Sequence, residues 1–369
     1  MKKVLQISRL YAPKIGGVEL VVQQIAEGLK DSVDMQVLVC QEKGKSSDES
    51  YHGVSLHRSS SLGVALSMPI SLSFISDVRK YAKSADIIHL HMPFPLADLA
   101  LLLSGYKGKI IIWWHMDIVR QKRAMALYRP LRNWMLKRAD KIIVATQGHV
   151  DGNETLKLYQ NKIVAIPFGV EDSLLEDGKN HLATYVRPDG PTQFLFIGRL
   201  VYYKGCDVLL KAFATMQNKE AILHMVGDGP LKDELTAMAK TLGVSSRVHF
   251  HGRVTDEDLR EQIRLCDVFV LPSSERTEAF GIVQIEAMAY GKPVINTNLP
   301  TGVPHVSLDG LTGLTVPPKD ESALSAALDE LATNHDKRKE FSINARKRVE
   351  DNFRLTTMLE SVREVYNTV

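Results

Sequence analysis

Two glutamates flank a Phe-Gly pair in the segment EAFGIVQIE, which gives the pattern Glu278-x7-Glu286. The apolar run at 268–272 predicts a buried strand before this segment, and an amphipathic helix is predicted to begin near Gly281 and to end at Gly291. The first turn of a helix binds phosphate, because its backbone N–H groups lack partners and lie at the positive end of the helix dipole. The pattern therefore indicates an extended ligand with a diphosphate at the helix start and a carboxylate near each end. A solvated acidic helix face is the alternative, which the position after a strand disfavours.

Two cations, Arg199 and Lys204, lie in the segment GRLVYYKG that follows a predicted strand at 193–197. Ligands of α/β proteins bind at the carboxyl ends of parallel strands. A guanidinium and an ammonium at that edge can together neutralise a diphosphate, although either residue alone could be a solvated loop cation. The sequence shows no Asp-x-Asp at a suitable strand end and no nucleophile paired with a base as in a retaining glycosidase. We therefore expect no metal and no cofactor.

Short apolar runs alternate with amphipathic segments along the chain, which predicts an α/β fold with two domains of parallel strands covered by helices. No Gly-x-Gly-x-x-Gly follows the first strand and no Walker-type loop is present, so a single-domain dehydrogenase-like fold is excluded. The stretch 171–191 has no clear period and is predicted to be a linker. The predicted strands cover residues 4–8, 36–40, 86–91, 109–114, 141–145, 163–167, 193–198, 222–227, 247–251, 268–272, 293–297 and 313–316.

The composition of the chain is that of an ordinary globular protein, with 369 residues, 44% hydrophobic and 24% charged residues, and a net charge of +3. Such a charge excludes a polycation, and no window has the roughly 20 apolar residues that a membrane-spanning helix needs. The cysteines Cys40, Cys206 and Cys266 are far apart and lack metal-ligand spacing. We expect them to be reduced thiols in a cytosolic protein, with Cys40 and Cys266 in the core.

Several motifs in a fixed order resemble the family-4 retaining glycosyltransferases. They are Gly16-Gly17-Val18-Glu19, the segment IPFGV at 166–170, the Gly198-Arg199…Lys204-Gly205 segment, VGDGP at 226–230, Pro272-Ser273 and Glu278-x7-Glu286. The resemblance runs from residue 3 to about residue 355 and is much more specific for the family than for the sugar. It implies the GT-B fold, in which two Rossmann-like domains have parallel sheets that face across a deep cleft.

The resemblance also implies how the chain is divided. An acceptor-binding domain would cover 1–172, a linker 173–191 and a nucleotide-sugar-binding domain 192–352. The last segment, 353–369, would be a helix that crosses back and packs on the N-terminal domain.

The roles of the site residues follow from the resemblance as well. Glu278 would hold the hydroxyls of the donor sugar, Arg199 and Lys204 the diphosphate, and Glu286 the ribose. His115, which follows the run IIIWW, would contact the transferred sugar, although a histidine at a strand end is also often structural. The other donor-binding residues would be Gly16 and Gly17 in a loop that closes on the donor phosphate, Gly227, Asp228, Val254 and Asp256 around the nucleobase, and Phe280, Gly281, Ile282 and Val283 with their backbone N–H groups.

The stretch 119–138 holds seven Lys or Arg and no Asp or Glu, together with Tyr128 and Trp134. A basic stretch with aromatic residues can lie on an anionic membrane or meet a lipid-diphosphate acceptor. A partly buried helix pair with solvated cations, broken at Pro130, is an equally good interpretation. Nucleic-acid binding is disfavoured, because no recognition module accompanies the patch. We expect a cytoplasmic protein, which would be peripheral on the inner face of the plasma membrane if this stretch docks there.

The segment from His115 to Lys122 is similar to bacterial enzymes that build capsule or O-antigen repeat units. The resemblance implies a metal-independent hexosyltransferase that uses a nucleotide-sugar as substrate and a glycan or lipid-linked glycan as acceptor. GDP-mannose is the first expectation for the donor and a UDP-hexose (glucose, galactose or N-acetylhexosamine) is the second. A nucleotide-sugar epimerase with the same fold and a non-catalytic subunit are the alternatives, and the intact cation and glutamate pairs favour transfer over both.

Overall fold

The computed structural model describes residues 1–13, 16–65, 68–116, 122–184 and 189–369, with the backbone alone at 122–124. The chain divides into two compact units. The first unit consists of Met1–Phe168 and Thr357–Val369, and the second consists of Gly169–Thr356. Each unit has its own sheet and its own buried apolar core.

The first unit is built on a sheet of eight strands in the order β10-β9-β8-β7-β1-β2-β4-β3. All neighbours in it are parallel except β3 and β4. The strands of this sheet are β1 (Lys3–Ile7), β2 (Asp34–Cys40), β3 (Ser47–Tyr51), β4 (Val54–Ser59), β7 (Ile87–Met92), β8 (Lys109–Trp114), β9 (Lys141–Val144) and β10 (Ile163–Ala165). The strands β5 (Val64–Ala65) and β6 (Met68–Pro69) form a separate antiparallel pair. Its helices are α1 (Gly17–Leu29), α2 (Ser73–Ala82), α3 (Pro95–Ser104), α4 (Lys122–Arg138), α5 (Gln147–Asp151) and α6 (Glu154–Lys157).

The second unit has a sheet of six parallel strands in the order β13-β12-β11-β14-β15-β16. Its strands are β11 (Gln193–Ile197), β12 (Ile222–Val226), β13 (Val248–Gly252), β14 (Val268–Val270), β15 (Val294–Thr297) and β16 (Gly313–Val316). Its helices are α7 (Asp172–Thr184), α8 (Cys206–Thr215), α9 (Lys232–Thr241), α10 (Asp256–Leu265), α11 (Ile282–Ala289), α12 (Val303–Val306), α13 (Glu321–Thr333) and α14 (His335–Asn352).

The α/β fold with parallel sheets is confirmed, and every predicted strand overlaps an observed one within a few residues. Buried parallel strands read as apolar runs, which is why sequence reasoning found them. The strands β3 to β6 were missed. The strand β4, for example, has the sequence VSLHRS, and its buried His57 interrupts the apolar pattern.

The segment 173–191, predicted to be a linker because it lacks a clear period, is largely occupied by helix α7. The helix packs on α11. At Gly178 a Cβ atom would lie 2.2 Å from the carbonyl oxygen of Ala289, so only a glycine allows this approach. The carboxylate of Asp177 accepts hydrogen bonds from Tyr290 and Arg264. The helix is thus fixed by one close backbone contact and by charge, neither of which produces an apolar period.

The last helix, α15 (Leu355–Thr368), groups with the first unit from Thr357 onward. It buries Met358, Val362, Val365 and Tyr366. The phenol of Tyr366 forms a hydrogen bond of 2.7 Å with Nδ1 of His89 in β7, and Lys2 donates to its carbonyl oxygen. The C-terminal segment is therefore part of the first core.

Within the described ranges, no helix combines the length and the apolar character that crossing a bilayer requires. The three cysteines are free and buried, Cys206 included, and burial raises the pKa of each thiol to about 12. These thiols are therefore inert core groups.

Candidate functional site

The loops that follow β11 and β12 lie against each other at the carboxyl edge of the second sheet. Gly198 donates its N–H to Val226, and Leu200 donates to the carbonyl oxygen of Asp228. Gly227 has a φ of +130°, and a Cβ atom there would lie 2.0 Å from the carbonyl oxygen of Gly198. These contacts hold two predicted site segments together through their backbones. Asp228 and Arg199, which are both exposed, therefore lie in adjacent loops.

Lys204 reaches this edge from a short 3₁₀ turn, Tyr202–Lys204. The turn ends at Gly205, which has a φ of +66° and lies so close to the carbonyl oxygen of Pro272 that a Cβ atom would be 2.1 Å from it. The N–H of Ser274 donates to the carbonyl oxygen of Tyr203 at 2.8 Å. The loops after β11 and β14 are therefore in contact on both sides of Lys204.

The central feature of the site is an ion pair between Lys204 and Glu278. Nζ of Lys204 lies 2.5 Å from Oε2 of Glu278, and the two side chains are only 12% and 10% exposed. The hydroxyl of Ser273 donates to the same carboxylate oxygen at 2.9 Å. Burial by itself lowers the pKa of Lys204, but the charge and hydrogen bond of Glu278 outweigh it and the pKa is raised. The ammonium of Lys204 is therefore held in its charged form.

The helix α11 begins directly after this carboxylate with an uncapped first turn. Gly281 occupies its N-cap with φ of 74° and ψ of 64°, and no side chain caps the helix. Within the described residues, the backbone N–H groups of Ile282 and Val283 make no hydrogen bond. Phe280 and Gly281 are buried, whereas Ile282 and Val283 are half-buried. Two unpaired donors and a helix dipole thus point out of one turn, as an anion site requires.

A buried amide network beneath this turn was not found from the sequence. Gln284 donates to the carbonyl oxygen of Phe280 at 2.9 Å and accepts from Asn296 at 2.9 Å. Asn296 in turn accepts from the hydroxyl of Thr315 at 2.7 Å. The network fixes the loop that contains Phe280 and Gly281. A glutamine on the apolar face of a predicted helix is the signal that would have revealed it.

The other carboxylate of the motif, Glu286, lies within helix α11 and is half-buried. Its pKa is raised to about 7, mainly by burial and then by the charge of Asp256, while Arg260 acts in the opposite direction. Asp256 is exposed at the start of α10, and Val254 lies half-buried just before it. The structure therefore places the predicted ribose and nucleobase residues Glu286 and Asp256 within electrostatic reach of each other.

Of the predicted residues, His115, Gly16 and Gly17 belong to the first unit. His115 follows β8 and is 4% exposed, with its ring stacked on Trp113 and Phe168. Burial lowers its pKa well below the usual range, so the ring is neutral. Gly16 is the extended N-cap of α1 and Gly17 is its first residue, and the two residues before them lie outside the described chain.

The basic stretch 119–138 forms helix α4 from Lys122 onward, while 119–121 lie outside the described residues. The helix continues through Pro130, so the predicted break there was wrong. Tyr128 is buried and its hydroxyl donates to Asp98, and Trp134 packs against the core. These aromatic residues therefore face the interior, as in the interpretation of a partly buried helix with solvated cations.

A cavity of about 490 Å³ opens in the first unit at the carboxyl end of β2. Aromatic, acidic and basic side chains line it together. Arg58 lines the cavity, and its Nε lies 2.6 Å from Oε1 of Glu49. The rings of Tyr51 and Tyr11 pack edge to face. No metal site is visible in the parts of the chain that the structure covers, where no three His, Cys, Asp or Glu side chains converge.

Comparisons with known proteins agree with this architecture. Residues 15–174 match the model of Glycosyltransferase Family 4, and residues 179–348 match that of Glycosyl transferases group 1. The O-antigen chain mannosyltransferase C of Escherichia coli is 32% identical over all of this chain and 98% of its own length. The D-rhamnosyltransferase WbpZ of Pseudomonas aeruginosa is 34% identical over 94% of this chain and 91% of its own.

Solved structures show the same fold at low identity. The Anabaena protein HepE, solved in complex with UDP and glucose, has a TM-score of 0.78 at 19% identity, with both chains covered completely. The lipopolysaccharide outer core galactosyltransferase WaaB, in its apo form, has a TM-score of 0.74 at 19% identity and covers all of both chains. The chain therefore belongs to the glycosyltransferases, as a member of the family-4 type with the GT-B fold, among relatives that build polysaccharides.

Proposed function

We propose that this glycosyltransferase moves a hexose from a nucleotide-sugar to a glycan or lipid-linked glycan, with retention of the anomeric configuration. Mannose from GDP-mannose is the first candidate for the donor. The Escherichia coli relative is a mannosyltransferase, and a GDP-mannose-dependent mannosyltransferase of Mycolicibacterium smegmatis is 35% identical over 142 residues, 37% of this chain. A UDP-hexose is the second candidate for the donor.

The observation that carries this proposal is the buried Lys204–Glu278 pair beside the uncapped start of α11. A diphosphate at the N–H groups of Ile282 and Val283 would lie at the positive end of a helix dipole. The ammonium of Lys204 and the guanidinium of Arg199 can then meet the charge that develops as the sugar leaves. The carboxylate of Glu278 accepts hydrogen bonds, so it suits the hydroxyls of a sugar.

The nucleoside end of the donor is proposed to lie along Glu286, with the base beside Gly227, Asp228, Val254 and Asp256. A ribose diol donates two hydrogen bonds to an ionised carboxylate. Since the pKa of Glu286 is raised to about 7, a ribose hydroxyl would also relieve the cost of its burial. We propose the roles named above for His115, Gly16 and Gly17 as well.

The proposed chemistry needs neither a metal nor a cofactor. The bond between the anomeric carbon and the phosphate oxygen breaks, and the acceptor hydroxyl forms its bond from the same face. The leaving diphosphate takes the hydroxyl proton, so atoms and charge balance. The charge of the leaving group is met by Lys204, Arg199 and the helix dipole. We expect full activity in EDTA, and a loss that manganese restores would contradict this part of the proposal.

The acceptor is proposed to bind the cavity of the first unit. Its wall combines the ion pair of Arg58 and Glu49 with the ring of Tyr51, and such mixtures of aromatic and polar groups suit a sugar ring. We also propose peripheral contact with the inner face of the plasma membrane. The exposed Leu127, Arg129 and Lys137 of α4 would then be the contacting residues.

The test is to incubate the purified full chain with GDP-mannose and a panel of UDP-hexoses, together with lipid-diphosphate-linked and free oligosaccharide acceptors. We expect one donor to yield a product whose new anomeric centre keeps the donor configuration by proton NMR. An inverted product would refute retention. An epimerised nucleotide-sugar formed without any acceptor would identify an epimerase instead.

A further inference from the structure

Three buried polar side chains form a hydrogen-bonded chain across neighbouring strands of the first sheet. Gln6 lies in β1, His91 in β7, and His115 follows β8. Nε2 of Gln6 lies 2.8 Å from Nε2 of His91, and Nδ1 of His91 lies 2.8 Å from Nε2 of His115. The three residues are 0%, 2% and 4% exposed. Water therefore cannot substitute for a missing partner, and each hydrogen atom must be in the correct place.

The backbone decides which way the amide of Gln6 faces. Its Nε2 also lies 3.0 Å from the carbonyl oxygen of Val22 in α1. A carbonyl oxygen only accepts hydrogen bonds, so the NH₂ group of the amide must be the end that faces it. The second hydrogen of the same NH₂ group then points at Nε2 of His91. This nitrogen must carry a lone pair.

The positions of the hydrogens on both rings follow from this starting point. A neutral imidazole carries one hydrogen, so His91 has its hydrogen on Nδ1 and donates it to Nε2 of His115. Nε2 of His115 is thus an acceptor, and the hydrogen of His115 is on Nδ1. Both rings are neutral, since burial lowers the pKa of each well below the usual range, and a charged His91 would place two donors face to face.

We propose that Gln6 and His91 are positioning residues that fix His115 as a neutral ring with its hydrogen on Nδ1. Within the described residues, Nδ1 of His115 makes no hydrogen bond of its own. The ring therefore presents an N–H donor, and the ligand atom that meets it must be an acceptor, such as a hydroxyl oxygen of the donor sugar. This last step rests on the proposed function, whereas the state of the ring does not.

If Gln6 had a purely structural role, its hydrogen bonds would hold α1 against the sheet and would not affect His115. The neighbouring His89 offers the matched comparison. Its ring stacks on that of His91, with the two ring centroids 4.6 Å apart. Its Nδ1, however, forms a hydrogen bond with the hydroxyl of Tyr366 and is not part of the hydrogen-bonded series from Gln6 to His115. Removing either bond deletes one buried hydrogen bond from the same group of stacked rings. Only the loss of the Gln6 bond should alter His115.

The experiment is nitrogen-15 NMR of the full chain labelled at histidine, with the His115 signals assigned from a His115→Gln spectrum. We expect a protonated Nδ1 and an unprotonated Nε2 at neutral pH in the wild-type protein. In Gln6→Met we expect His115 to become a mixture of both tautomers, and in Tyr366→Phe we expect it to stay unchanged. A wild-type His115 with its hydrogen on Nε2 would overturn the proposal, and this result does not depend on whether Gln6→Met folds. A Gln6→Met spectrum identical to that of the wild type would show that Gln6 does not fix the tautomer of His115.

Activity provides the second, separable measurement. Once the donor is known, Gln6→Met should lower kcat roughly 10-fold, the effect of one lost hydrogen bond to the sugar, while Tyr366→Phe should stay near the wild type. An unchanged kcat together with a mixed tautomer would show that His115 does not donate to the sugar. Absence of transfer from every nucleotide-sugar, with the expected wild-type NMR result, would refute the proposed function and leave the state of the ring standing.

Discussion

Lys204 and Glu278 form a charged pair at the carboxyl edge of the second sheet, whereas Gln6, His91 and His115 form a chain of neutral groups in the first sheet. Both sets are buried, so each has lost most of its hydration and depends on its partners. A diphosphate carries charge and must be met by charge, and a neutral sugar hydroxyl needs only a directional hydrogen bond. The two arrangements therefore differ in the way expected if one region binds phosphate and the other only a hydroxyl.

The strongest test of the charged region is Glu278→Gln. The change keeps the shape of the side chain but removes the acceptor charge for sugar hydroxyls and the partner of Lys204, so transfer should fall about 1,000-fold. Glu275→Gln is the control, since Glu275 lies in the same loop and pairs with exposed Lys319. Initial rates of product formation compare the two. A Glu278→Gln protein as active as Glu275→Gln would contradict the site assignment.

The next effect is on stability and comes from Lys204→Met. Removing one partner of a buried pair leaves the carboxylate of Glu278 without compensation, which costs about 3 kcal/mol of the free energy of unfolding. The matched change Lys319→Met breaks a pair that is much more exposed and should cost less than about 1 kcal/mol. Urea unfolding measures both. Adding Glu278→Gln to Lys204→Met should recover most of the stability, and equal stability of the two single variants would contradict the account.

A smaller effect is expected from Gly281→Ala at the start of α11. Its φ of +74° costs an alanine about 1 kcal/mol, and the new Cβ atom would also meet Leu271 at 2.5 Å. Gly310→Ala is the control, because it has a φ of +68° and open space around it. Both variants should lose stability, but only Gly281→Ala should weaken nucleotide binding by isothermal titration calorimetry, by roughly 10-fold. Equal nucleotide affinity in both variants would show that the first turn of α11 does not bind the nucleotide.

The smallest effect concerns Glu286. Its pKa in the folded chain is raised to about 7, so it contributes stability that is fully present below its unfolded pKa of about 4.5 and is lost as the pH rises through 7. Since the residue is only half-buried, this amounts to about 1 kcal/mol. Glu286→Gln should remove that part of the pH dependence between pH 4.5 and 7.5 in urea unfolding. An unchanged pH profile would show that the carboxyl is well solvated.

The sequence predicted the fold because parallel strands such as β7 and β11 are continuous apolar runs. It also predicted Glu278, Gly281 and Lys204 as one site, since loops at the carboxyl ends of neighbouring parallel strands must meet at one edge of the sheet. These inferences need only local pattern and chain order.

The remainder depends on pairings between distant segments, which no single sequence displays. Helix α7 was missed because Gly178 and Asp177 hold it by a backbone approach and by charge. The link from Gln6 to His91 spans 85 positions, and a glutamine inside an apolar strand does not indicate its partner. The sequence left open whether Tyr128 is interfacial or buried, because a basic helix does not reveal which of its aromatic residues face the core.

The account depends most directly on where the nucleotide diphosphate binds. A crystal structure of the full chain grown with GDP, and a second one grown with UDP, would show this for whichever nucleotide binds. We predict phosphate oxygens that accept hydrogen bonds from the backbone N–H groups of Ile282 and Val283, with Nζ of Lys204 beside them. A nucleotide bound elsewhere, with the start of α11 in contact with solvent alone, would contradict the central claim.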